Sequence, residues 1–367
     1  MLNFLLLMLV PVLIAIGTLL AFKGKVAYWE FFAQIGVLAL VVAASLGIAY
    51  ESRTTDTEIW NGQVTSKKRV QVHCRHSYEC NCYYTEDCSG SGTSRSCSTT
   101  KHCSTCYEHS YDVDWDIHAS TGEGTSIDTI DRQGLDMPPR WGRAYVGEPW
   151  ASKHNYTNYI LANPDSVLLG TKGDMQRFGK LIPKYPDGIY DYYYNNPVIN
   201  MGVPNVDYVA WNWLIRDINK TLGPQKQVHI IVILVPTNDR AYMLALRDAW
   251  VGGKKNDVDV VIGSEDGNTI GFADVMSWST NKALQVTLKD RIEGSYLTDK
   301  DAIVAAINEN VSHDFKRMHM KDMKWLMRSF QPSQTAMIII FILATLISIG
   351  ISVWAVLADV NENRYRY

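Results

Sequence analysis

No excess of positive charge marks this chain: 35 Lys and Arg stand against 38 Asp and Glu, for a formal charge of −3. That near-balance leaves no basic field to hold a phosphate backbone, so nucleic acid is not an expected partner. Also missing are a G-x-x-x-x-G-K-[ST] loop, a dinucleotide fingerprint, an H-E-x-x-H pair and a G-x-S-x-G elbow. The chemistries those motifs announce are therefore not expected. Cysteine is absent outside one window, Cys74 to Cys106. Charge is absent from three stretches, Met1–Phe22, Phe31–Tyr50 and Ala336–Ala358.

Each uncharged stretch reaches or approaches the ~20 residues a helix needs to cross ~30 Å of hydrocarbon. The expected layout is a transmembrane helix over 1–22, a short cytoplasmic loop over 23–30 and a second span over 31–50. A polar, Cys-rich segment (51–106), a β-rich module (107–204) and an α/β domain (205–330) follow. A third span (336–358) and a cytoplasmic tail (359–367) close the chain. The first run has no basic residues before it, while Lys23 and Lys25 follow it, so it is expected to stay as an anchor, not to be cleaved as a signal. Almost no ionisable residue lies within the spans, which makes them a poor conduction path.

Lys23 and Lys25, with Arg364 and Arg366, place the insert outside the cytoplasm by the positive-inside rule, and the cysteine cluster prefers an oxidising compartment. Lys316, Arg317, Lys321, Lys324 and Arg328 stand on the insert's side and count the other way, but long translocated domains weaken that count. The expectation is an extracytoplasmic insert over 51–332.

Glu51–Tyr107 is polar, with few aliphatics after Val72, so that segment cannot fold on an apolar core of its own and needs cross-links or metal; Ser89–Thr100 reads as a loop. Tyr111, Val113, Trp115 and Ile117 alternate with Asp112, Asp114, Asp116 and His118, a half-buried strand with Ser126–Asp131 as partner. Tyr190–Tyr194 reads as irregular. Tyr208–Leu222 is an amphipathic helix expected to stop at Gly223-Pro224. Val228–Val235 and Val258–Ile262 are continuous apolar runs, the pattern of strands buried on both faces. Helices over Arg240–Trp250 and Asn281–Ile292, a strand over Thr269–Val275, and a helix from Thr298 toward Lys324 with Asp301 in a capping box complete the order. Helix, strand, helix, strand, strand, helix, helix describes an α/β sandwich.

That order resembles the TPM domain, with the words "WVGGKKNDVDVVIG" and "GSYLTDKDAIVAAI" carrying the likeness through Trp250, Gly252, Gly253, Lys254, Asp257, Leu297, Thr298 and Asp299. The resemblance covers about 205–325. It implies a membrane-tethered, extracytoplasmic domain, with membrane-complex maintenance, receptor accessory roles or, in some members, metal-dependent acid phosphatase activity. A second resemblance, in "CSGSGTSRSC", "CSTCYEHSYDVDWDIH", "IDRQG", "PPRW" and "VGEP", is to uncharacterised membrane proteins of large tailed bacteriophages. It implies a bacterial host membrane, the inner one, and carries no function.

Cys74, Cys80, Cys82, Cys88, Cys97, Cys103 and Cys106 are spaced C-x5-C-x-C-x5-C-x8-C-x5-C-x2-C, with His73, His76, His102 and His109 among them. Three disulfides with one odd thiol would staple a coreless segment. Zinc ligation is the other reading, though Cys103–Cys106 is the sole CxxC pair and Thr85 stands where a zinc knuckle would need Cys. Redox catalysis would need a CxxC at a helix N-terminus, which nothing here provides. Asp112, Asp114 and Asp116 suit a solvated face better than a calcium site. Asp257, Asp259, Glu265 and Asp266, with Asp239 and Asp274, lie at predicted strand ends, where calcium or magnesium could bind; polar caps are the simpler account. No nucleophile motif accompanies them, so no catalytic residue is assigned. The basic, Met-rich stretch Lys316, Arg317, Lys321, Lys324, Arg328 suits anionic headgroups. Two functions follow: an envelope protein binding or modulating another envelope component, beside the lipid bilayer, or a metal-dependent phosphatase acting through the TPM-like domain.

Overall fold

A computed structural model describes residues 2–89, 96–163, 172–190, 195–329 and 332–358. The tail, the centre of the expected 89–100 loop and the aromatic run beyond Tyr190 lie outside the described residues. Three helices, α1 (Leu2–Ala21), α2 (Tyr28–Thr54) and α9 (Gln334–Ala358), are long and apolar enough to span a bilayer. They pack through Leu7, Met8, Leu38, Val42, Ile340 and Ala344. Within this apolar seam Gln34 Nε2 donates to Ser348 Oγ (3.1 Å), Ser352 Oγ (3.0 Å) and the Ser348 carbonyl (3.0 Å), and Ser348 Oγ donates to the Pro11 carbonyl (2.8 Å). Such polar bonds hold helices together where no water competes.

Helix α2 passes without a linker into β1 (Thr55–Val72), an 18-residue strand inside the segment expected to be coreless. With β4 (Asp112–Ala119), β5 (Gly124–Ile127) and β6 (Pro149–Thr157) it forms an antiparallel sheet of order β5-β4-β1-β6. Thr55–Gln63 pair with β6 and Val64–Val72 with β4. The expected boundary at 106/107 therefore cuts through one sheet: 55–72 belongs with the β-rich module. Val64, Ile117, Ala119, Ala144 and Trp150 make its small core, and a short helix α3 (Pro139–Arg143) borders it.

Between β1 and β4 the chain leaves the sheet as a hairpin of β2 (Ser77–Ser89) and β3 (Ser96–Tyr107). Disulfides join Cys80 to Cys106, Cys82 to Cys103 and Cys88 to Cys97, and Cys74 is left as a buried free thiol. The polar composition explains the design, because none of the hairpin's described residues is buried and cross-links replace the missing core.

The second sheet has the order β10-β9-β8-β7, with β7 (Val198–Asn200), β8 (His229–Val235) and β9 (Asp257–Gly263) parallel and β10 (Phe272–Ser277) antiparallel. Alternate residues divide between two cores. Ile230, Val232, Leu234, Val258, Val260 and Ile262 meet α5 (Tyr208–Lys226), α7 (Ala283–Glu293) and α8 (Lys300–Asp314). Ile231, Ile233, Val235 and Val261 meet α4 (Lys172–Phe178) and α6 (Tyr242–Ala249). The expected order of elements is present as a three-layer sandwich.

Boundaries differ from expectation in several places: β10 starts at Phe272 and not at Thr269, β5 is Gly124–Ile127 and not the expected Ser126–Asp131, and 96–100 of the expected loop belongs to β3. Helix α5 continues through Gly223 and Pro224 and ends at Gln227 in the left-handed conformation (φ 52°). Gly223 is there for packing: a Cβ would overlap the Asn61 backbone of β1. Helix α8 starts one residue later than a Thr298 cap would place it, because the Asp299 side chain accepts from Ala302 N. It also ends at Asp314, and the basic stretch beyond is a 3-10 segment, Met320–Ser329.

Candidate functional site

The acidic strand-end residues do not come together. Asp257 and Asp259 lie in β9 on the α6 side, fully buried, whereas Glu265 and Asp266 follow its far end, with Glu265 exposed. Asp266 is a turn residue: its Oδ1 accepts from Asn268 N (2.8 Å) and Thr269 N (2.7 Å), and these bonds hold its carboxyl down at about 2. Asp239 accepts from Ala241 N (2.9 Å) just before α6 and pairs with Arg177. A four-carboxylate calcium or magnesium site is therefore not assembled.

Asp257 is satisfied by its neighbours. It accepts from Tyr185 Oη (2.9 Å) and Lys254 N (2.7 Å), and His229 Nδ1 lies 3.3 Å away while Asn195 Nδ2 donates to His229 Nε2 (2.7 Å). Asp259 is different: neither carboxyl oxygen has a hydrogen-bond partner. Burial, reinforced by the charge of Asp257, pushes its carboxyl well above the usual range, so it is held as the neutral acid. Gly253 (φ 75°) makes room, since a Cβ there would stand 2.6 Å from Asp259 Oδ2. This buried pair can set the core's pH response, and neither carboxyl is exposed among the described residues.

The site that sequence spacing missed lies at the root of the hairpin. Cys74 and His76 leave the end of β1, and His109 and Asp112 enter β4, so the two legs face each other. Cys74 Sγ is 3.7 Å from His109 Nδ1; Asp112 Oδ1 is 3.4 Å from the same nitrogen, and Asp112 Oδ2 is 3.2 Å from His76 Nδ1. One donor atom from each residue lies within 4.8 Å of the others. Arg75 N donates to Asp112 Oδ2 (2.8 Å), and the Arg75 guanidinium pairs with Asp114. The expected solvated row of aspartates is thus broken, with Asp112 buried among groups from both legs. The signal was present as interleaved Cys and His, but the pairing of β1 with β4 that closes it is long-range.

Other clusters are less suited to chemistry. Ser152, His154 and Glu123 meet, but Ser152 Oγ (3.1 Å) and Glu123 Oε1 (2.8 Å) both address His154 Nε2, and Ser152 also bonds Glu123. A Ser-His-acid triad needs opposite ring nitrogens for the two jobs. A cleft of about 150 Å³ is lined by Arg247, Lys282, Gln285, Ser277, Trp278 and Gly252, with burial and then Arg247 lowering the Lys282 ammonium. Its cationic lining suits an anion and not a metal.

Of the basic residues expected at the lipid surface, Lys316, Lys321 and Lys324 are exposed. Arg317 is not available: it pairs with the buried Glu58 and donates to the Gln227 carbonyl (3.2 Å). The side chain of Arg328 lies outside the described residues. Met320 and Leu326 are buried against Tyr156 and Ile160, which fastens this segment to the β-rich module.

No family model, curated protein or solved structure matches the chain.

Proposed function

We propose that this is a membrane-anchored envelope protein whose extracytoplasmic part binds or modulates another envelope component, as a bacterial inner-membrane protein with the 51–332 insert in the periplasm. The observation that carries this reading is the stapled hairpin. A β2–β3 ribbon with three disulfides has no buried residue among those described, yet it presents Tyr78, Tyr83, Tyr84 and Tyr107 to solvent at 45–66% exposure. Rigid tyrosines supply contact area at low entropic cost, and a pre-ordered ribbon spares a partner the cost of ordering it. The three disulfides also suit an oxidising compartment. The likenesses to TPM domains and to phage-encoded membrane proteins agree with this placement and with a role during phage infection. Among the described residues, the carboxylates named for the phosphatase alternative do not gather into one open cluster.

A photo-crosslinking side chain in place of Tyr83 or Tyr84, in full-length protein in intact cells, tests the reading. A discrete adduct at those positions and none at exposed Tyr296 is expected. Absence of any adduct at the hairpin, or turnover of a phosphomonoester that Asp257→Asn abolishes, would overturn it.

A further inference from the structure

We infer that Cys74, His76, His109 and Asp112 form a zinc site that clamps the root of the hairpin to the sheet. Zinc is held in structural sites by four N, S or O donors at about 2.3 Å for sulfur and about 2.0–2.2 Å for nitrogen or oxygen. Tetrahedral geometry with those bonds sets ligand-to-ligand separations of about 3.3–3.6 Å. Cys74 Sγ and Asp112 Oδ1 stand 3.7 and 3.4 Å from His109 Nδ1, near these values, and His76 Nδ1 lies 3.2 Å from the other Asp112 oxygen. One donor atom from each residue lies within 4.8 Å of the rest, so the four are already gathered on the scale of one ion.

Two further observations point to a cation. His76 Nδ1 and Asp112 Oδ1 are buried and have no hydrogen-bond partner, which costs free energy unless something else satisfies them. Asp112 keeps one oxygen for Arg75 N and leaves the other turned to His109. The histidines are a quarter to a third exposed, and this side provides the entry path.

The donor set selects the metal. One thiolate, two imidazoles and one carboxylate suit zinc, whereas calcium and magnesium take oxygen ligands in larger shells. Binding deprotonates the Cys74 thiol and releases that proton to solvent, forming the sulfur–zinc bond. It also explains why one of seven cysteines stays reduced beside three disulfides: Cys74 is buried and committed elsewhere. The competing cluster of Glu79, Cys82 and Cys103 is closed, because its two sulfurs are bonded to each other. The zinc site proposed here takes a single cysteine and finds its other ligands in His and Asp across the two legs.

Full-length protein in detergent, equilibrated with zinc and desalted, is expected to retain one zinc per chain. Asp112→Asn and His109→Ala are expected to lower zinc affinity by more than the roughly 10–100-fold that loss of an outer partner causes. Intact mass without reductant should still report three disulfides in both variants. As a readout independent of those variants, cobalt added to the wild type should give a thiolate-to-cobalt charge-transfer band that Cys74→Ser removes. Wild-type protein that retains no zinc and gives no such band overturns the site. Zinc held equally by every variant, or a band that survives Cys74→Ser, overturns it as well.

Discussion

Gly223 of α5 lies so close to Asn61 of β1 that a Cβ on it would stand 2.8 Å from the Asn61 carbonyl carbon. This contact joins the α/β sandwich to the strand that rises from the membrane.

If Gly223 were a helix stop, Ala would be neutral or would gain up to about 1 kcal/mol in helix propensity. Because the position is a contact, Gly223→Ala should instead destabilise by about 1–3 kcal/mol, as overpacking does. Thermal unfolding in detergent reads the sign directly.

The same junction holds an ion cluster. Glu58, 2% exposed, lies 3.3 Å from Lys255, pairs with Arg317 and accepts from Trp60 Nε1 (2.9 Å). Burial lowers the Lys255 ammonium, with Glu58 opposing that shift. Glu58→Ala leaves two cations facing each other in a desolvated seam and should cost about 3–5 kcal/mol. Arg317→Ala, which keeps the Glu58–Lys255 pair, should cost less. Denaturant titration of the two variants orders them, and equal losses would contradict the pairing.

Asp259 sets a pH dependence. Its folded carboxyl titrates well above an unfolded aspartate, so its share of stability is complete below about pH 4. That share is lost as pH rises toward the folded value. Asp259→Asn removes the titration. The variant should match the wild type near pH 4 and gain on it progressively to pH 8, by about 2–4 °C in Tm per kcal/mol. A gap that shrinks with pH would mean that Asp259 is ionised in the fold.

Reduction should separate the hairpin from the rest. Loss of a native disulfide typically costs about 2–5 kcal/mol where the linked segment shares the core. Here the linked residues share none, so dithiothreitol should open 77–107 to protease within the arm while the Tm of the sandwich changes little. Mass mapping of the cuts checks this.

The legible parts were those written in local pattern. The uncharged runs, the all-apolar Val228–Val235 strand and the alternation around Trp115 each report a face or a solvent, and the structure has the corresponding elements. Less legible was anything decided by distant partners. Gly223-Pro224 looks like a stop because the partner that uses Gly223 is 162 positions earlier, at Asn61. Thr55–Val72 looks too polar for a strand because β4 and β6, which complete it, lie far along the chain. Arg317 looks like a lipid-facing cation until Glu58 is brought beside it. The hairpin root was half visible: His and Cys were seen as a cluster, but strand pairing chose which four meet.

The direct passage of α2 into β1 has a mechanical consequence. Eighteen residues of strand at about 3.3 Å each give a contour of about 60 Å between the end of α2 and the foot of the hairpin. Hydrogen bonds to β6 and then β4 brace the strand along its length, with one register shift between Val64 and Ser66 where the partner changes. A force applied at the hairpin would reach α2 through this paired strand and not through a loop.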